Sequence, residues 1–313
     1  MSQNADKPTR SGVVAVIGAP NAGKSTLTNA LVGEKVSIVT HKVQTTRFQV
    51  RGIAMVETPD AVSQIVLVDT PGIFDGKERI ARAMVESAWD GLSGADVVLH
   101  VVDAHAMIEG RKRTVADTDR VLAGLKARKK KAVLALNQID RIEVEKLLPL
   151  VAKFQEEGVY SDVFMISALT GDGVERLADF LASSMPEGPY LYPDDQAADL
   201  PLRVMASEIT REKLFLRLHE ELPYNLHVET EAWEDRRDGS VKIDQVVYVT
   251  RSGHKGIILG KGGQTLKAIG QSARKEMRAW LGRDVHLFLF VKVRENWQDD
   301  RARYEAMGLN FNA

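Results

Sequence analysis

A run of eight residues, GAPNAGKS at positions 18–25, constrains the fold of this chain more than any other feature. It fits the phosphate-binding pattern G-x-x-x-x-G-K-[ST], follows an apolar run at 13–17 and precedes a helix-like stretch at 25–31. A buried strand, a glycine-rich turn and a helix N-terminus direct successive backbone N–H groups into one hollow, which suits a β-phosphate. Lys24 would add charge toward the β- and γ-phosphates, and the Ser25 hydroxyl can ligate Mg²⁺.

Short apolar runs alternate with helical patterns as far as about residue 185. The pattern predicts strands over 13–17, 50–56, 65–68, 97–102, 132–136 and 163–166, and helices over 25–31, 78–92, 114–127, 144–155 and 174–183. Residues 50–56 are expected to pair with 65–68, because Pro59 and Asp60 between them favour a turn. Near-continuous apolar strands alternating with helices predict an α/β domain, with a mostly parallel sheet covered by helices on both faces.

A different organisation begins after residue 185. Four prolines and four acids between residues 186 and 201 indicate a linker. After the linker, the pattern predicts a helix over 203–220 and then two strands, over 226–230 and 241–249, joined by a hairpin turn at 235–239. A short helix, a glycine loop and a helix over 264–281 follow. A strand over 285–293 and a polar helix close the chain. The predicted domains are therefore 1–185, a linker at 186–202 and an α+β domain at 203–313.

Composition limits the classes of function. The 313 residues suit two domains, and 44% hydrophobic with 27% charged residues suits a large folded core. The absence of cysteine excludes disulfides, cysteine-based zinc or iron–sulfur sites and thiol catalysis, and it fits a reducing compartment. Residues 1–11 are polar, and no apolar run approaches the ~20 residues that span a bilayer. A soluble cytoplasmic protein is the expectation.

The net charge of −1 conceals a basic block. Residues 251–294 contain ten Lys and Arg against two acids, which gives +8 and leaves −9 for the rest of the chain. A basic block within a near-neutral protein is a candidate site for a polyanion. The alternative on charge alone is an ordinary solvated face.

A second motif follows the apolar strand at 65–68. Asp69 at a strand end opposite the phosphate loop is placed to hold Mg²⁺, and the Gly72 N–H can meet a γ-phosphate. Thr70 and Pro71 complete the turn. An ordinary turn is the alternative, since Asp, Pro and Gly all favour turns. Its position about 45 residues after the phosphate loop favours the metal interpretation.

Two further motifs predict guanine selection. The Asp140 carboxylate can accept hydrogen bonds from guanine N1–H and its exocyclic amine, a donor pair that adenine lacks. Asn137 would hold the loop and the N7 edge of the base. A backbone N–H after the next strand would meet guanine O6, from the residues Ser167, Ala168 and Leu169.

The glycine loop lies inside the basic block, between two helix-like segments. KH domains clamp about four nucleotides of single-stranded nucleic acid against such a G-x-x-G loop. Ile257 and Ile258 would form an apolar floor for bases. The remaining candidate RNA-binding residues are Lys255, Gly260, Lys261, Gly262, Gly263 and Lys267. The order of elements resembles the type II KH arrangement, in which two strands precede the glycine loop.

The four nucleotide motifs, in this order and spacing, resemble a P-loop GTPase. Further segments resemble the Era family of bacterial GTPases, and the resemblance runs from about residue 11 to residue 300. They are KVQTTR at 42–47, Pro20-Asn21 in the phosphate loop, YPDDQ at 192–196, ELPY at 221–224 and VHL at 285–287.

The resemblance implies hydrolysis of GTP to GDP and phosphate, with Lys24, Thr46 and Gly72 in catalytic roles. Mg²⁺ would bind Ser25, Thr46 and Asp69, with Thr46 a better candidate than Thr45. A monovalent cation, K⁺, is expected near Asn21. The nucleotide-binding residues would be Gly18, Ala19, Pro20, Asn21, Ala22, Gly23, Lys24, Ser25, Thr26, Asp69, Thr70, Pro71, Gly72, Asn137, Gln138, Asp140, Ser167, Ala168 and Leu169.

Two positions affect how far the nucleotide chemistry of the Era family can be expected of this chain. Gln138 stands where the family has lysine, so affinity for the nucleotide is expected to fall while selectivity through Asp140 survives. Ile73 stands where many GTPases orient the attacking water with a glutamine, and the resemblance implies that Era-like proteins share this apolar substitution. Hydrolysis would then rely on a positioned water, Mg²⁺ and the monovalent cation.

The resemblance implies the 3′ end of small-subunit ribosomal RNA as the target and assembly of the 30S subunit as the process. A cytoplasmic monomer is expected, with a peripheral association at the inner face of the cell membrane left open. Three alternatives stay open at this point: a nucleotide-gated RNA-binding protein with incidental turnover, an assembly GTPase with two tandem GTPase domains and an adenine-specific P-loop enzyme. The single phosphate loop and Asp140 argue against the last two.

Overall fold

The computed structural model describes residues 7–220 and 222–313, which form two compact units. Unit 1 consists of residues 7–37, Thr46–Asp199 and Met307–Ala313, and unit 2 of Ile38–Thr45 and Leu200–Ala306. Two sequence-based expectations fall partly outside the described residues: the polar N-terminal segment at 1–11, and Glu221 of the segment 221–224. Among the described residues no helix is long and apolar enough to cross a membrane.

Unit 1 alternates strands and helices, as predicted. Its strands are β1 (Thr9–Ile17), β2 (Val50–Glu57), β3 (Val62–Asp69), β4 (Val97–Asp103), β5 (Ala132–Asn137), β6 (Tyr160–Met165) and β7 (Ala198–Asp199). Its helices are α1 (Lys24–Val32), α2 (Arg79–Asp90), α3 (Ala104–Ile108), α4 (Lys112–Ala127), α5 (Val144–Glu156) and α6 (Val174–Ser184). The sequence pattern did not predict the short helix α3 or the two-residue strand β7.

The seven strands form one sheet in the order β6-β5-β4-β1-β3-β2-β7. All neighbours from β6 to β3 are parallel, whereas β2 is antiparallel to β3 and to β7. The predicted pairing of residues 50–56 with 65–68 is confirmed by β2 and β3. The strand β7 lies within the predicted linker and adds an edge to the sheet beside β2.

The register brings the carboxyl ends of the central strands together. Val16 on β1 is level with Asp69 on β3, and Asp103 on β4 is level with Asn137 on β5. Residues 14–17 of β1 are fully buried, because helices cover both faces of the sheet. Ligands of such sheets bind at the carboxyl ends of the strands, so this edge positions the site.

Unit 2 has the α+β order that the sequence predicts. Its elements are α7 (Leu202–Arg217), β8 (Leu226–Asp235), β9 (Val241–Val249), α8 (Ser252–Leu259), α9 (Gln264–Leu281), β10 (Val285–Val293) and α10 (Arg301–Ala306). The sheet order is β10-β9-β8, with β8 and β9 an antiparallel hairpin and β10 parallel to β9. Apolar side chains of α7, α8 and α9 pack against the sheet, among them Phe215, Ile258 and Ile269.

Candidate functional site

The phosphate loop joins β1 to α1 at the carboxyl edge of the unit 1 sheet. Gly23 has φ 95°, a left-handed value that side chains rarely adopt. A Cβ at this position would lie 2.1 Å from Nδ2 of Asn137. The turn therefore requires glycine both for its backbone conformation and because the guanine-motif asparagine passes directly beside it.

Lys24 is buried at 6% exposure, and its ammonium group points back into the loop. Its Nζ donates hydrogen bonds to the carbonyl oxygens of Gly18, at 3.1 Å, and Ala19, at 3.0 Å. Burial lowers the pKa of Lys24 to about 8, against the opposing attraction of the Asp69 carboxylate. A buried cation held by carbonyl dipoles is a preorganised partner for a phosphate.

Ser25, Thr46 and Asp69 converge beside Lys24. Oγ of Ser25 lies 2.6 Å from Oδ2 of Asp69 and 2.9 Å from Oγ1 of Thr46. These residues belong to α1, the loop before β2 and the end of β3. Three segments distant in sequence thus bring two hydroxyl oxygens and a carboxylate together.

The donor set fits Mg²⁺, which prefers oxygen ligands and usually needs only one or two carboxylates. Oδ1 of Asp69 is buried and has no hydrogen-bond partner among the described residues, so one carboxylate oxygen is available to a ligand. Burial raises the pKa of Asp69, although Ser25 and Lys24 act in the opposite direction. An unsatisfied buried carboxylate oxygen is costly unless a cation or donor meets it.

The two adjacent threonines of the loop before β2 have different surroundings. The Thr45 hydroxyl lies 2.6 Å from the Thr40 hydroxyl and donates to the Lys42 carbonyl at 2.7 Å. The Thr46 hydroxyl instead contacts Ser25. Thr45 is therefore engaged in closing its own loop, while Thr46 lies with the other candidate metal ligands.

The turn after β3 is anchored to the phosphate loop. The buried Thr70 hydroxyl donates to the Val16 carbonyl at 2.7 Å, and the Ile73 N–H donates to the Gly18 carbonyl at 3.1 Å. A Cβ on Gly72 would lie 2.9 Å from the backbone of Pro20. The Ile73 side chain is fully buried in the core and takes no position from which it could orient a water.

Asn137 connects the phosphate loop to the last nucleotide motif. Its Nδ2 donates to the Ala22 carbonyl at 2.8 Å, and its Oδ1 accepts from the Ala168 N–H at 2.9 Å. Ser167 and Ala168 are buried, whereas Leu169 is 81% exposed. One asparagine at the end of β5 thus fixes two loops against each other.

Gln138 and Asp140 follow Asn137 in a short 3₁₀ turn. Gln138 has φ 67°, and its Oε1 accepts from Nη1 of Arg141 at 2.9 Å. Asp140 is exposed, and its carboxylate makes no hydrogen bond or ion pair with any residue that the structure describes. The arrangement leaves both carboxylate oxygens of Asp140 available to a base.

The flanking loop residues complete the nucleotide candidates. Asn21 is exposed with φ 62°, and Thr26 is half-buried in the first turn of α1. One residue that the sequence reasoning missed is Asn29 on α1. Its Oδ1 accepts from the N–H groups of Val36 and Ser37, both at 2.9 Å, and so fixes the start of the loop that carries Thr46. A polar residue within a short helix gave no signal of this role.

In unit 2 the glycine loop joins α8 to α9 and is open to solvent. Gly260, Gly262 and Gly263 have φ of 69°, 61° and 76°. A Cβ on Gly260 would lie 2.1 Å from the Thr265 hydroxyl oxygen, whereas one on Gly262 would meet nothing within 4 Å. Lys261 is exposed at the tip. The backbone here can be approached closely from outside.

The expected apolar floor of the loop requires a correction. Ile257 is 60% exposed, but Ile258 is fully buried in the core of unit 2. Adjacent helical residues point about 100° apart, so both could not face the same ligand. Only Ile257 is available to a base.

Ion pairing divides the basic block into two parts. Carboxylates among the described residues pair with four of its ten cations, Arg278, Arg283, Lys292 and Arg294. The other six make no ion pair with any described residue and lie on α8, the glycine loop, α9 and the residue before α8: Arg251, Lys255, Lys261, Lys267, Arg274 and Lys275. The uncompensated positive charge therefore lies on the glycine loop and on or beside the two helices that it joins.

Known proteins match both units. A family model described as a 50S ribosome-binding GTPase matches residues 13–138, and one described as a KH domain matches residues 221–298. The GTPase Era of Caulobacter vibrioides (strain NA1000 / CB15N) is 55% identical over 312 residues, covering 97% of this chain and 98% of that protein. The GTPase Era of Sinorhizobium medicae (strain WSM419) is 57% identical over 304 residues, covering 97% and 95%.

Two solved structures are similar over nearly the whole chain. One is a variant of Aquifex aeolicus Era bound to GDP·AlF₄⁻, and the other is Era in complex with MgGDPNP and nucleotides 1506–1542 of 16S ribosomal RNA. Each has a TM-score of 0.87 at 36% identity and covers 96% of this chain and 99% of its own. The predicted fold, a P-loop domain followed by a KH domain, is confirmed by these likenesses and by the strand order.

Proposed function

Since this chain belongs to the Era family of GTPases, we propose that it binds the 3′ end of small-subunit ribosomal RNA and acts as a GTP-hydrolysing switch in assembly of the 30S subunit. The observation that carries the nucleotide part is the convergence of Ser25, Thr46 and Asp69 beside the buried Lys24. The part on RNA is supported by the exposed glycine loop within uncompensated positive charge.

We propose that Ser25, Thr46 and Asp69 hold Mg²⁺, because they offer oxygen ligands and one unsatisfied carboxylate oxygen. When bound, the ion would neutralise charge on the β- and γ-phosphates. Lys24 would hold the same phosphates from within the loop, and the Gly72 N–H would donate to the γ-phosphate. A K⁺ ion near Asn21 is a further part of the proposal, and it rests on the family resemblance.

Guanine recognition is proposed for the loops that Asn137 connects. Asp140 would accept from guanine N1–H and the exocyclic amine, and a backbone N–H of the loop at 167–169 would donate to O6. Asn137 uses one Nδ2 donor and its Oδ1 on the two loops, so it positions those loops around the base rather than supplying selectivity by itself. Gln138 would cover the base without adding charge.

RNA binding is proposed for the exposed side of α8, the glycine loop and the start of α9. Phosphates would approach the backbone of Gly260, Gly262 and Gly263, while Lys255, Lys261 and Lys267 supply positive charge. Ile257 would contact a base. This surface suits a single strand, because unstacked bases can reach an apolar side chain while the backbone follows the charged loop.

The proposal describes a monomer in the cytoplasm that alternates between GTP-bound and GDP-bound states. A peripheral association with the inner face of the cell membrane rests on the resemblance alone, and sedimentation with anionic vesicles tests it.

Multiple-turnover hydrolysis of GTP, measured as phosphate release against Mg²⁺ concentration, tests the nucleotide site. Ser25→Ala removes a proposed ligand and should lower Mg²⁺-dependent turnover more than about tenfold, or ~1.4 kcal/mol in the barrier. Ser25→Thr is the matched control, since the loop pattern accepts either hydroxyl, and it should stay within about threefold. Equal turnover of Ser25→Ala and the parent would contradict the proposed ligand set.

A further inference from the structure

The loop that carries Thr46 is long and has no regular structure. Seventeen consecutive residues, 33–49, form neither helix nor strand between α1 and β2. Loops of this length in compact domains are uncommon and are usually functional. Holding Thr46 in one place costs conformational entropy, so residues that restrain its neighbours bear directly on metal binding.

Part of this loop, Ile38–Thr45, is packed within unit 2, and the chain enters unit 1 at Thr46. The segment is closed on itself by the contact between the Thr40 and Thr45 hydroxyls and by the hydrogen bond from Thr45 to the Lys42 carbonyl. It is therefore a small folded turn whose last residue precedes the proposed metal ligand.

Arg211 on α7 holds the end of this turn. Its Nη2 donates to the Thr45 carbonyl and to Oε2 of Glu208, and its Nε donates to Oε1 of Glu208 at 2.7 Å. The guanidinium also lies 5.1 Å from the centre of the Phe215 ring. Arg211 is 1% exposed. The two-pronged pair with Glu208 and the ring fix the direction in which it donates.

Glu212, the next residue of α7, holds the start of the turn. Its Oε1 accepts from the Val39 N–H at 2.9 Å, and its Oε2 accepts from Nζ of Lys213 at 2.6 Å. Lys213 also pairs with Glu276 on α9. Two consecutive helical residues thus hold both ends of the turn.

We propose that Arg211 is a positioning residue for the GTP-bound state: by holding the Thr45 carbonyl it restrains the backbone from which Thr46 presents its hydroxyl to Mg²⁺. The inference rests on the proposed role of Thr46. The described contacts of Arg211 are with Glu208, Thr45 and Phe215, so in this proposal it acts only through the Thr45–Thr46 peptide. The family resemblance implies that Thr46 ligates Mg²⁺ when GTP is bound, so Arg211 should contribute to binding of the triphosphate and not of GDP.

The test compares affinity for GDP with affinity for a non-hydrolysable GTP analogue, in the full chain, across Mg²⁺ concentrations. Arg211→Met should lower affinity for the analogue about tenfold at limiting Mg²⁺. It should also raise the Mg²⁺ concentration at which analogue binding is half-maximal, while GDP affinity stays within about twofold of the parent. Arg211→Lys can reach one of the two acceptors at a time, so it should restore part of the analogue affinity.

Arg303→Met is the matched control. Arg303 is also buried in unit 2, at 5% exposure. It pairs with Glu229 and lies over the Tyr248 ring at 4.2 Å, but it has no contact with Ile38–Thr45 among the contacts described for that residue. Both Arg303→Met and Arg211→Met should lower thermal stability, because each removes a buried ion pair, but Arg303→Met should leave the ratio of GDP to analogue affinity unchanged. A shift of this ratio in Arg303→Met equal to that of Arg211→Met would overturn the inference, because general loosening of unit 2 would then explain both.

Thr46→Ala separates this inference from the proposed function. Thr46→Ala should itself lower affinity for the analogue and leave GDP affinity unchanged. In the Thr46→Ala background, Arg211→Met should lower analogue affinity by less than about a further twofold. If Thr46→Ala does not change affinity for the analogue, Thr46 is not the metal ligand and the proposed site is wrong. If Thr46→Ala weakens analogue binding but Arg211→Met leaves the ratio of GDP to analogue affinity unchanged, only the positioning role is wrong. If Arg211→Met fails to fold, Arg211→Lys decides: an unchanged ratio overturns the inference, and a selective loss of about threefold supports it.

Discussion

The phosphate loop and the glycine loop use the same residue types in opposite ways. In the phosphate loop, Lys24 is buried, and the protein's own carbonyl groups hold its ammonium. In the glycine loop, Lys261 is exposed, and the backbone of Gly262 has open space around it. The first loop is an enclosed arrangement suited to one small ligand, whereas the second is an open surface that presents charge and backbone to a larger ligand.

The difference predicts two kinds of binding energy. A buried site of low effective dielectric gives strong, directional interactions and high selectivity. An exposed cluster of cations gives binding that depends steeply on salt, since it releases counterions from the nucleic acid. Variants in the two loops should therefore change different measured quantities, nucleotide selectivity for the first and salt-dependent RNA affinity for the second, and by different amounts.

Asp140→Asn should have the largest effect on the directional site. Two charge-assisted hydrogen bonds are worth about 1.5–3 kcal/mol each, so GTP affinity should fall at least about 100-fold. The amide can donate where the carboxylate only accepts, so the variant should favour xanthosine triphosphate. Competition binding with both nucleotides measures this, with Asp172→Asn in the neighbouring exposed loop as the control. GTP binding as tight as in the parent would remove Asp140 from the base site.

Ile257 and Ile258 form a second, smaller contrast beside the glycine loop. Ile257→Ala should lower affinity for single-stranded RNA by about five- to tenfold and leave thermal stability unchanged, because the side chain is exposed. Ile258→Ala should instead cost about 2–5 kcal/mol in the free energy of unfolding, since it leaves a cavity in the core. RNA titration and urea unfolding of both variants distinguish the two roles; equal RNA affinity of Ile257→Ala and the parent would show that no base contacts it.

Burial of ionisable groups in unit 1 gives a pH dependence. Burial, with a smaller effect of Lys24, lowers the pKa of His100 to about 3 from 6.5. The unfolded chain therefore takes up a proton below pH 6.5 that the folded chain refuses until about pH 3. Stability from this group is complete above pH 6.5 and is lost between about pH 6.5 and 3, by up to ~1.4 kcal/mol per pH unit.

The measurement for His100 is the free energy of unfolding in urea at pH 7, 6 and 5. His100→Gln should show a smaller fall over this range than the parent. His286→Gln is the control, because His286 is exposed on β10 and should leave the slope unchanged. Parallel slopes for His100→Gln and the parent would rule out the buried neutral imidazole as the cause.

Ile73 should have the smallest effect on chemistry. Its side chain is a core residue, so Ile73→Val should cost about 0.5–1.5 kcal/mol in stability. Hydrolysis by the folded variant should stay within about threefold, because no polar group is removed from the site. A collapse of turnover with GTP binding intact would show that this residue does more than pack.

Much of the architecture was predictable because its signals are local. Buried strands produce apolar runs, helices produce periodic ones, and the order of elements in both units follows from them. The four nucleotide motifs follow strand ends, so the register that brings Asp69 and Asn137 to one edge could be expected. The error at Ile258 arose from treating adjacent helical residues as one face.

Long-range contacts gave no such signal. The strand β7 has only two residues and exists because residues 51 and 52 of β2 pair with it. Arg211 is one arginine in a charged helix, and nothing in its neighbours marks the buried contact with Thr45. The C-terminal segment belongs to unit 1 through Asn310, whose Nδ2 donates to Glu86 at 3.1 Å, and Phe311, which lies under Arg79. These features depend on tertiary packing that no local pattern encodes.

The most direct test of separate roles for the two loops replaces both Lys261 and Gly262 by Asp. Affinities for RNA and for a GTP analogue are then measured on the same sample as a function of salt concentration. The change adds two carboxylates and removes one ammonium, a net charge change of −3, at a tip where Gly262 has room for a side chain and a left-handed φ that Asp tolerates. Arg278→Asp with Gly282→Asp makes the same charge change at the other end of α9, where the exposed Arg278 is already paired with Asp284 and Gly282 has open space and φ 64°.

The account predicts that the parent binds 3′-terminal small-subunit ribosomal RNA with a salt slope near −0.7 per phosphate neutralised. The glycine-loop variant should lose this binding and keep its GTP affinity, and the control at the end of α9 should retain most of its RNA affinity. Unchanged RNA affinity in a folded glycine-loop variant, or an equal loss in the control, would contradict the assignment of RNA binding to the glycine loop.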